Sequence, residues 1–234
     1  MKRQRIDSAW LSFKRHLLRG IFRPIFRILF RIRISGLKNV PKGTPYIIAA
    51  NHVSLFEPPL LLAFWPELPE VVAGHDVWDR PGQNILVKGY GAIPVHRGEY
   101  DRYVIEQMLS VLESSRPMMI FPEGGRSHQL GMKQALPGVA YLVDKAKAPV
   151  VPVAILGTKD DLLKGIFREK RPHLEMRIGQ PFRLPPITAK GEARREARQK
   201  NADEVMLRIA AMMPEKYHGV YAGQVSPDFT SKGG

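Results

Sequence analysis

The 234-residue chain is 44% hydrophobic and 25% charged, which suits one folded domain with or without a helical appendage. Its 36 lysines and arginines outnumber 22 acidic residues and give a formal net charge of +14, so a polyanionic partner is expected: nucleic acid, an anionic membrane or a phosphorylated substrate. The absence of cysteine excludes disulfides, thiolate metal sites and cysteine nucleophiles.

The first 33 residues combine strong basicity with bulky apolar side chains. Residues 2–33 hold ten lysines and arginines and a single acid, Asp7. Apolar pairs recur at helical spacing, and arginines step by four from Arg15 to Arg31 along another face. No uncharged run approaches the ~20 residues that a spanning helix requires, and no cleavage site of a signal peptide follows.

This pattern predicts a basic amphipathic helix that lies in the membrane interface, with a kink near Gly20 and a second helix from Pro24. The alternative is that the same segment packs on the body of the protein. A calmodulin-like partner or a nucleic acid fits the pattern less well.

After a turn-rich connector at 36–43, short apolar runs alternate with helical stretches. Strands are predicted at 46–50, 70–73, 93–95, 118–121, 150–156 and 174–178, and helices at 58–65, 100–114, 138–147 and 189–213. The alternation predicts an α/β fold, a mixed sheet flanked by helices, preceded by the basic amphipathic N-terminal helical segment. The expected organisation is an interfacial segment at 1–35, a globular domain at 36–225 and a disordered tail at 226–234.

The first candidate site is a histidine at the end of a strand. His52 follows the apolar run 46–50, and Glu57 lies five residues further on beside two prolines. A carboxylate near a histidine fixes its tautomer and stabilises the imidazolium, so this pair is a minimal general base. Alternatively, His52 caps a loop and Glu57 complements a helix dipole.

Two glycine-containing segments have the composition of anion sites. Residues 91–98 bring Arg97 to the end of a strand, and residues 121–127, Phe-Pro-Glu-Gly-Gly-Arg-Ser, open a strand into a turn that carries Arg126. Flexible backbone donors beside a guanidinium can bind phosphate. Ordinary surface turns with solvated arginines are the alternative. A fourth segment, 150–155, is an apolar strand that is usually plain core.

The order and spacing of the four segments resemble the glycerolipid acyltransferase family, which includes lysophosphatidic acid and glycerol-3-phosphate acyltransferases. The family's blocks are a histidine and an aspartate separated by four residues, a glycine-to-arginine strand, an F-P-E-G-x-R-S turn and a V-P-V/I strand. They correspond here to His52/Glu57, 91–97, 121–127 and 151–153. The resemblance covers roughly residues 36–180 and extends faintly to 210–221.

The resemblance implies direct transfer of a fatty acyl group from acyl-CoA or acyl carrier protein to the free hydroxyl of lysophosphatidic acid, giving phosphatidic acid. It implies His52 as the general base and Glu57 as the carboxylate that orients it. The implied substrate-binding residues are Arg97, Glu123, Gly124, Gly125, Arg126 and Pro152. No cofactor, metal ion or covalent acyl-enzyme is implied.

Two positions depart from the family pattern. Glu57 stands where aspartate is usual, and its extra methylene moves the carboxylate on a scale at which placement affects rate. Gly125 stands where threonine is common, although the turn still offers backbone N–H groups.

The implied partners are the acyl donor, a lyso-phospholipid acceptor and an anionic membrane surface, with no nucleic acid. The expected location is the cytoplasmic face of the cell membrane, with peripheral or monotopic attachment. One alternative is an O-acyltransferase for another lyso-lipid. The other is a non-catalytic basic membrane-binding module, which would leave His52, Arg97 and Arg126 as coincidences.

Overall fold

A computed structural model describes residues 9–96, 101–159, 162 and 171–226. The helices of these ranges are α1 (Ala9–Leu29), α2 (Glu57–Phe64), α3 (Gln83–Tyr90), α4 (Arg102–Glu113), α5 (Gly138–Ala146) and α6 (Gly191–Ala210). The strands are β1 (Arg31–Ser35), β2 (Ile47–Ala50), β3 (Glu70–Gly74), β4 (Ile93–Val95), β5 (Met118–Ile120), β6 (Val150–Leu156) and β7 (His173–Ile178). Short 3₁₀ turns lie at 37–39, 75–79, 215–217 and 219–221.

The seven described strands form one sheet in the order β1-β7-β6-β2-β5-β3-β4. Neighbouring strands run parallel except β6 and β7, which are antiparallel. The predicted mixed sheet is therefore confirmed. β2 and β6 are buried along their whole length, as continuous apolar runs in a sheet covered on both faces should be. The central position of β2 places the residues that follow it in the middle of the carboxyl edge.

A helix layer covers each face of the sheet because successive side chains of a strand point to opposite faces. Ile48 of β2 belongs to a core that includes Phe26 of α1 and Leu61 of α2. Its neighbour Ile47 belongs to the second core, which includes Val205 of α6 together with residues of α4 and α5. The carboxyl edge of β2 thus opens between two packed layers.

The N-terminal helix is continuous from Ala9 to Leu29, so its predicted division at Pro24 is wrong. A proline inside a helix removes one hydrogen bond, but tertiary contacts stabilise both sides of it here. Arg23 and Arg27 flank Pro24, and their guanidiniums lie 5.8 and 5.5 Å from the ring centroid of Phe64 in α2. These contacts anchor both sides of Pro24 to the same helix.

The arginines of α1 face the protein body. Arg15 is 2% exposed and forms a bidentate ion pair with Glu70 at 2.5 and 2.7 Å. Arg19 and Arg23 donate to backbone carbonyls at the end of α2 and in the loop after it, namely those of Leu62, Ala63, Pro66 and Glu67. Because the last carbonyls of a helix lack partners within it, this arginine row caps α2.

The opposite face of α1 is apolar and open. Its large side chains are between 42% and 68% exposed: Trp10, Phe13, Leu17, Ile21, Ile25 and Ile28. The arginine face therefore packs on the body, whereas this apolar face does not. In the part of the chain that the structure describes, no helix has the length and hydrophobicity to span a bilayer.

Two elements were absent from the sequence-based assignment. Residues 31–35, which were assigned to the N-terminal segment, form β1 and pair with β7 at the sheet edge. Residues 83–90 form α3, whose C-terminal Tyr90 packs under α1. Both elements tie the N-terminal segment to the sheet instead of leaving it as a separate appendage.

Candidate active site

The end of β2 is fixed by an asparagine side chain. Asn51 Nδ2 donates to the carbonyl of Ile155 at 2.9 Å, and its Oδ1 accepts from the Ile155 N–H at 2.7 Å. The two bonds continue the pairing with β6 beyond the last residue of β2. His52 therefore leaves the sheet from a rigid point.

His52 and Glu57 form the predicted pair. Nδ1 of His52 lies 2.9 Å from Oε2 of Glu57, which is 0% exposed. The carboxylate also accepts from the Ser54 backbone N–H at 2.8 and 3.0 Å and from its hydroxyl at 3.2 Å. Glu57 is the first residue of α2, where the helix dipole favours a negative charge. A proton on Nδ1 directed at Glu57 leaves Nε2 as the basic nitrogen.

The imidazole of His52 is held flat against an aromatic ring. Its centroid lies 4.2 Å from that of Phe121, with 25° between the planes, and the side chain is 13% exposed. The ring is oriented on one edge by Glu57 and on one face by Phe121. Its remaining surface opens into a cavity that both rings line.

Glu123 connects the glycine turn to the histidine loop. It is 3% exposed, and its carboxylate accepts from the backbone N–H of His52 at 2.6 Å and of Lys133 at 2.8 Å. Burial raises the pKa of Glu123 to about 7, although both backbone donors lower it. The Ser127 N–H also donates to the His52 carbonyl at 2.9 Å. Glu123 thus orders the backbone around the base.

The turn at 124–126 borders the cavity directly. Gly124 has a φ of +67°, and a Cβ there would lie 2.2 Å from Cδ1 of Leu136, so any other residue would adopt a strained backbone and displace Leu136. Gly125 and Arg126 line the same cavity as His52. The structure thus brings these three glycine-turn residues and the histidine to one site.

The two remaining predicted residues are placed differently. Arg97 falls in the gap at 97–100 and lies outside the described residues, whereas His96 before it lines the cavity. Pro152 lies within β6 opposite Ala49, and its carbonyl accepts from the Gly179 N–H at 2.9 Å. Pro152 is therefore a buried residue of the central sheet.

One cavity of about 1210 Å³ joins the histidine to both helix layers. On the side of α1, α2 and α3 the wall contains a group of apolar side chains beside Arg15, Arg19 and Gln83, and we name this group the apolar lobe: Leu18, Phe22, Leu62, Leu86 and Val87. On the side of α5 and α6 the wall contains a group of basic side chains beside Glu196, and we name this group the basic lobe: Arg126, His128, Lys133, Arg195 and Arg198. Ligand pockets usually hold ~300–1,000 Å³, so this volume has room for two substrates.

Three residues of the site were not identified as such from the sequence. Asn51 fixes the strand end, Ser54 holds the Glu57 carboxylate, and Phe121 supports the imidazole. Asn51 and Ser54 flank His52 in the sequence, and their polar side chains beside a buried strand were the available signal. The role of Phe121 depends on a contact between distant segments.

The fold and this site together define a class: a layered α/β protein with a carboxylate-oriented histidine beside a glycine–arginine turn. The Acyltransferase family model matches residues 31–156, more than half of the chain, and the chain belongs to that family. The predicted family resemblance is confirmed.

Curated relatives carry the same kind of name. A 1-acyl-sn-glycerol-3-phosphate acyltransferase of Borreliella burgdorferi is 27% identical over 139 residues, 58% of this chain and 55% of that protein. The human 1-acyl-sn-glycerol-3-phosphate acyltransferase alpha is 23% identical over 163 residues, 68% of this chain and 56% of that protein. The chain thus spans about half the length of these relatives.

A solved structure shares the fold. The crystal structure of the 1-acyl-sn-glycerophosphate (LPA) acyltransferase PlsC from Thermotoga maritima aligns with a TM-score of 0.59 at 19% identity. The alignment covers 83% of this chain and 79% of that one.

Proposed function

We propose that the protein transfers a fatty acyl group from a thioester donor, acyl-CoA or acyl carrier protein, to the free hydroxyl of lysophosphatidic acid, giving phosphatidic acid. The observation that carries the proposal is the 2.9 Å contact between His52 Nδ1 and the buried Glu57 carboxylate at the edge of a large cavity. The names of the curated relatives support the acceptor.

His52 acts as the general base. Its Nε2 removes the proton from the acceptor hydroxyl as that oxygen attacks the thioester carbonyl. The C–S bond then breaks, and the imidazolium returns the proton to the departing thiolate, so no covalent acyl-enzyme forms. Glu57 stabilises the imidazolium through Nδ1–H. Catalysis then needs no further titrating group at the reacting atoms.

The glycine turn holds the phosphate of the acceptor. Arg126 and Gly125 line the cavity together with His52 and His96, and Arg97 comes directly after His96 in the sequence. A guanidinium binds phosphate bidentately, and glycine permits close approach of the backbone. Glu123 contributes indirectly, because its carboxylate fixes the backbone of His52.

The apolar lobe has the chemistry of an acyl-chain site. Leu18 and Phe22 of α1 contribute to its wall together with Leu62 of α2. The same helix exposes its opposite apolar face, so the lobe and that face lie on two sides of one helix. We infer that α1 lies in the interface of an anionic membrane, on the cytoplasmic face, as a peripheral or monotopic attachment.

The test is an acyl-transfer assay with purified protein. Labelled acyl-CoA and acyl carrier protein thioester are each offered with a panel of lyso-lipids, and products are separated by mass. Acylation of lysophosphatidic acid, absent with His52→Ala, is the expected result. Preferred acylation of another lyso-lipid would reassign the acceptor. Absence of transfer from either donor to any acceptor would refute the proposal.

A further inference from the structure

Resting on the proposed function, we propose that the basic lobe binds the phosphate-bearing pantetheine arm of the acyl donor, with Arg195 and Arg198 of α6 as its phosphate ligands. The shared chemistry is the phosphopantetheine thioester, which CoA and acyl carrier protein both present. Arg195 and Arg198 belong to α6, which lies beyond the segments that carry the four family blocks, although Arg126 of the glycine turn lines the same lobe.

The first support is the charge of the lobe. Among the described residues that line the cavity, the acids are Asp101 and Glu196. Asp101 caps α4 by accepting from the Val104 N–H at 3.1 Å. In the ranges that the structure describes, neither Arg195 nor Arg198 is in an ion pair. Two guanidiniums without acidic partners in a concave wall favour an anionic ligand.

The second support is the way Arg198 is held. Its guanidinium carbon lies 4.8 Å from the ring centroid of Tyr141 in α5, and its Nε is buried without a hydrogen-bond partner among the described residues. Stacking on an aromatic ring restricts the guanidinium in advance of binding. A buried N–H without a partner is rare in folded proteins, so this guanidinium has unused hydrogen-bonding capacity.

The wall that carries these arginines is tied to the active-site turn. Gln199, the neighbour of Arg198, donates to the Ala135 carbonyl at 3.0 Å and to Asp203 at 3.0 Å. The Ala135 N–H in turn donates to the Tyr221 hydroxyl at 2.9 Å. Ala135 lies two residues beyond Lys133, whose N–H is bound by Glu123. These hydrogen bonds therefore connect the basic lobe to the loop that carries His52.

The third support is the arrangement of the cavity around His52. The thioester carbonyl must reach His52 with its acyl chain in the apolar lobe. The other end of the donor then leaves toward α5 and α6, which pack on the other face of the sheet and also line the cavity. The glycine turn at Gly125 and Arg126 is already required for the acceptor phosphate. Arg195 and Arg198 are the arginines of this lobe that the acceptor phosphate does not use.

The experiment compares donors with and without phosphate. The variants are Arg195→Gln, which leaves the Tyr141 stack intact, and the double variant Arg195→Gln/Arg198→Gln. The control is Lys190→Gln/Lys200→Gln, which removes the same charge from exposed positions on and beside α6 that do not line the cavity. The donors are acyl-CoA, acyl carrier protein thioester and S-acyl pantetheine, which lacks phosphate.

We expect the double variant to lose about tenfold or more in kcat/KM for phosphate-bearing donors, the usual effect of removing a charged hydrogen bond. The acceptor KM, the rate with S-acyl pantetheine and the control variant should not change. A loss confined to acyl-CoA or to the carrier-protein thioester supports the site and identifies which source it serves. Binding of free CoA, measured by calorimetry, should weaken in parallel.

Three results would overturn the inference. Unchanged kcat/KM for both phosphate-bearing donors would do so, as would an equal loss with S-acyl pantetheine, which would make the arginines structural. A rise in acceptor KM alone would assign the lobe to the acceptor phosphate. If the wild type transfers no acyl group at all, the proposed function fails, and CoA calorimetry on wild type and double variant still decides the site.

Discussion

The Glu57 carboxylate lies 2.9 Å from Nδ1 of His52 although its side chain is one methylene longer than the aspartate usual in the family. The loop accommodates this length because Ser54 donates to both carboxylate oxygens and α2 begins at Glu57 itself. The substitution therefore preserves the contact on which a general base depends.

Replacing His52 by alanine should lower kcat by ~10²–10⁴, the usual contribution of a positioned general base. The fold should survive, because the contacts to Glu123 and Ser127 use the backbone of residue 52. Turnover at saturating substrate and the melting temperature are the measurements. His173→Ala, an exposed histidine at the start of β7, is the matched control. Wild-type turnover in His52→Ala would exclude the proposed mechanism.

Replacing Glu57 by glutamine should cost about tenfold or more in kcat, because an amide cannot stabilise the imidazolium as a carboxylate does. Glu57→Asp should be better tolerated than Glu57→Gln, since it keeps the charge. Its shorter side chain can still lower the rate, because a displacement of the carboxylate by ~1 Å from Nδ1 affects catalysis. Steady-state kinetics and thermal melts of both variants separate the orienting role from a helix-dipole role. Full turnover in the glutamine variant, with a small loss of stability, would favour the dipole role.

Glu123 gives the stability of the protein a pH dependence of known sign. Burial raises its pKa to about 7 from an ordinary 4.5, so the folded protein keeps a proton that the unfolded chain has already lost. This group therefore lowers the free energy of unfolding as the pH rises from 4.5 to about 7, by up to ~1.4 kcal/mol per pH unit. Above about pH 7 its effect on the free energy of unfolding no longer changes.

The measurement is urea unfolding of wild type and Glu123→Gln at pH values across that window. The difference in unfolding free energy between the two proteins should shift in favour of the glutamine variant as the pH rises, because glutamine does not titrate. Parallel pH profiles would show that Glu123 has no raised pKa.

Arg126→Ala should raise the KM of the acceptor roughly tenfold or more and leave the donor KM unchanged, since a charged hydrogen bond contributes ~1.5–3 kcal/mol. Arg97→Ala should act in the same direction. Arg102→Ala is the control, because Arg102 pairs with Glu106 on the exposed side of α4. A selective rise in donor KM would transfer the two arginines from the acceptor to the donor.

The apolar face of α1 should govern membrane binding. Leu17→Asn/Ile21→Asn is expected to weaken sedimentation with anionic vesicles about tenfold or more, since a large apolar side chain contributes ~1.5–3 kcal/mol when fully buried. These two residues are 51% and 46% exposed, so the melting temperature should change little. Val220→Asn, at an exposed site near the C-terminus, is the control. Undiminished sedimentation of the double variant would place the attachment elsewhere.

The sequence was sufficient to predict elements whose side chains are all buried alike. The run Val150–Leu156 is apolar throughout and forms β6 with the predicted bounds. Arg31–Ser35 alternates arginine with isoleucine over only four positions before the serine, directly after an arginine-rich helix. The change from a helical to a strand repeat was therefore not recognisable in the sequence. A strand-like repeat of two residues cannot be distinguished from a helix-like repeat of about four residues over so short a segment.

The same limit applies to the site. His52 and Glu57 lie on either side of one short turn, so their contact followed from local spacing. The bond from the His52 N–H to Glu123 joins residues 71 apart, and only the packing of two strands decides it. The direction of Arg15 likewise depends on Glu70, a partner in another element of the fold.

The capping of α2 by α1 determines what removal of α1 would do to the protein. The eight-residue α2 is attached at its last turn to Arg19 and Arg23 and begins with Glu57, the residue that orients His52. Removing α1 would strip the carbonyls of α2 of their donors and open the wall formed by Leu18 and Phe22. A protein without α1 would therefore have a disrupted candidate site. Replacing the exposed apolar residues of α1 with polar ones is the better way to reduce the hydrophobic surface of this helix.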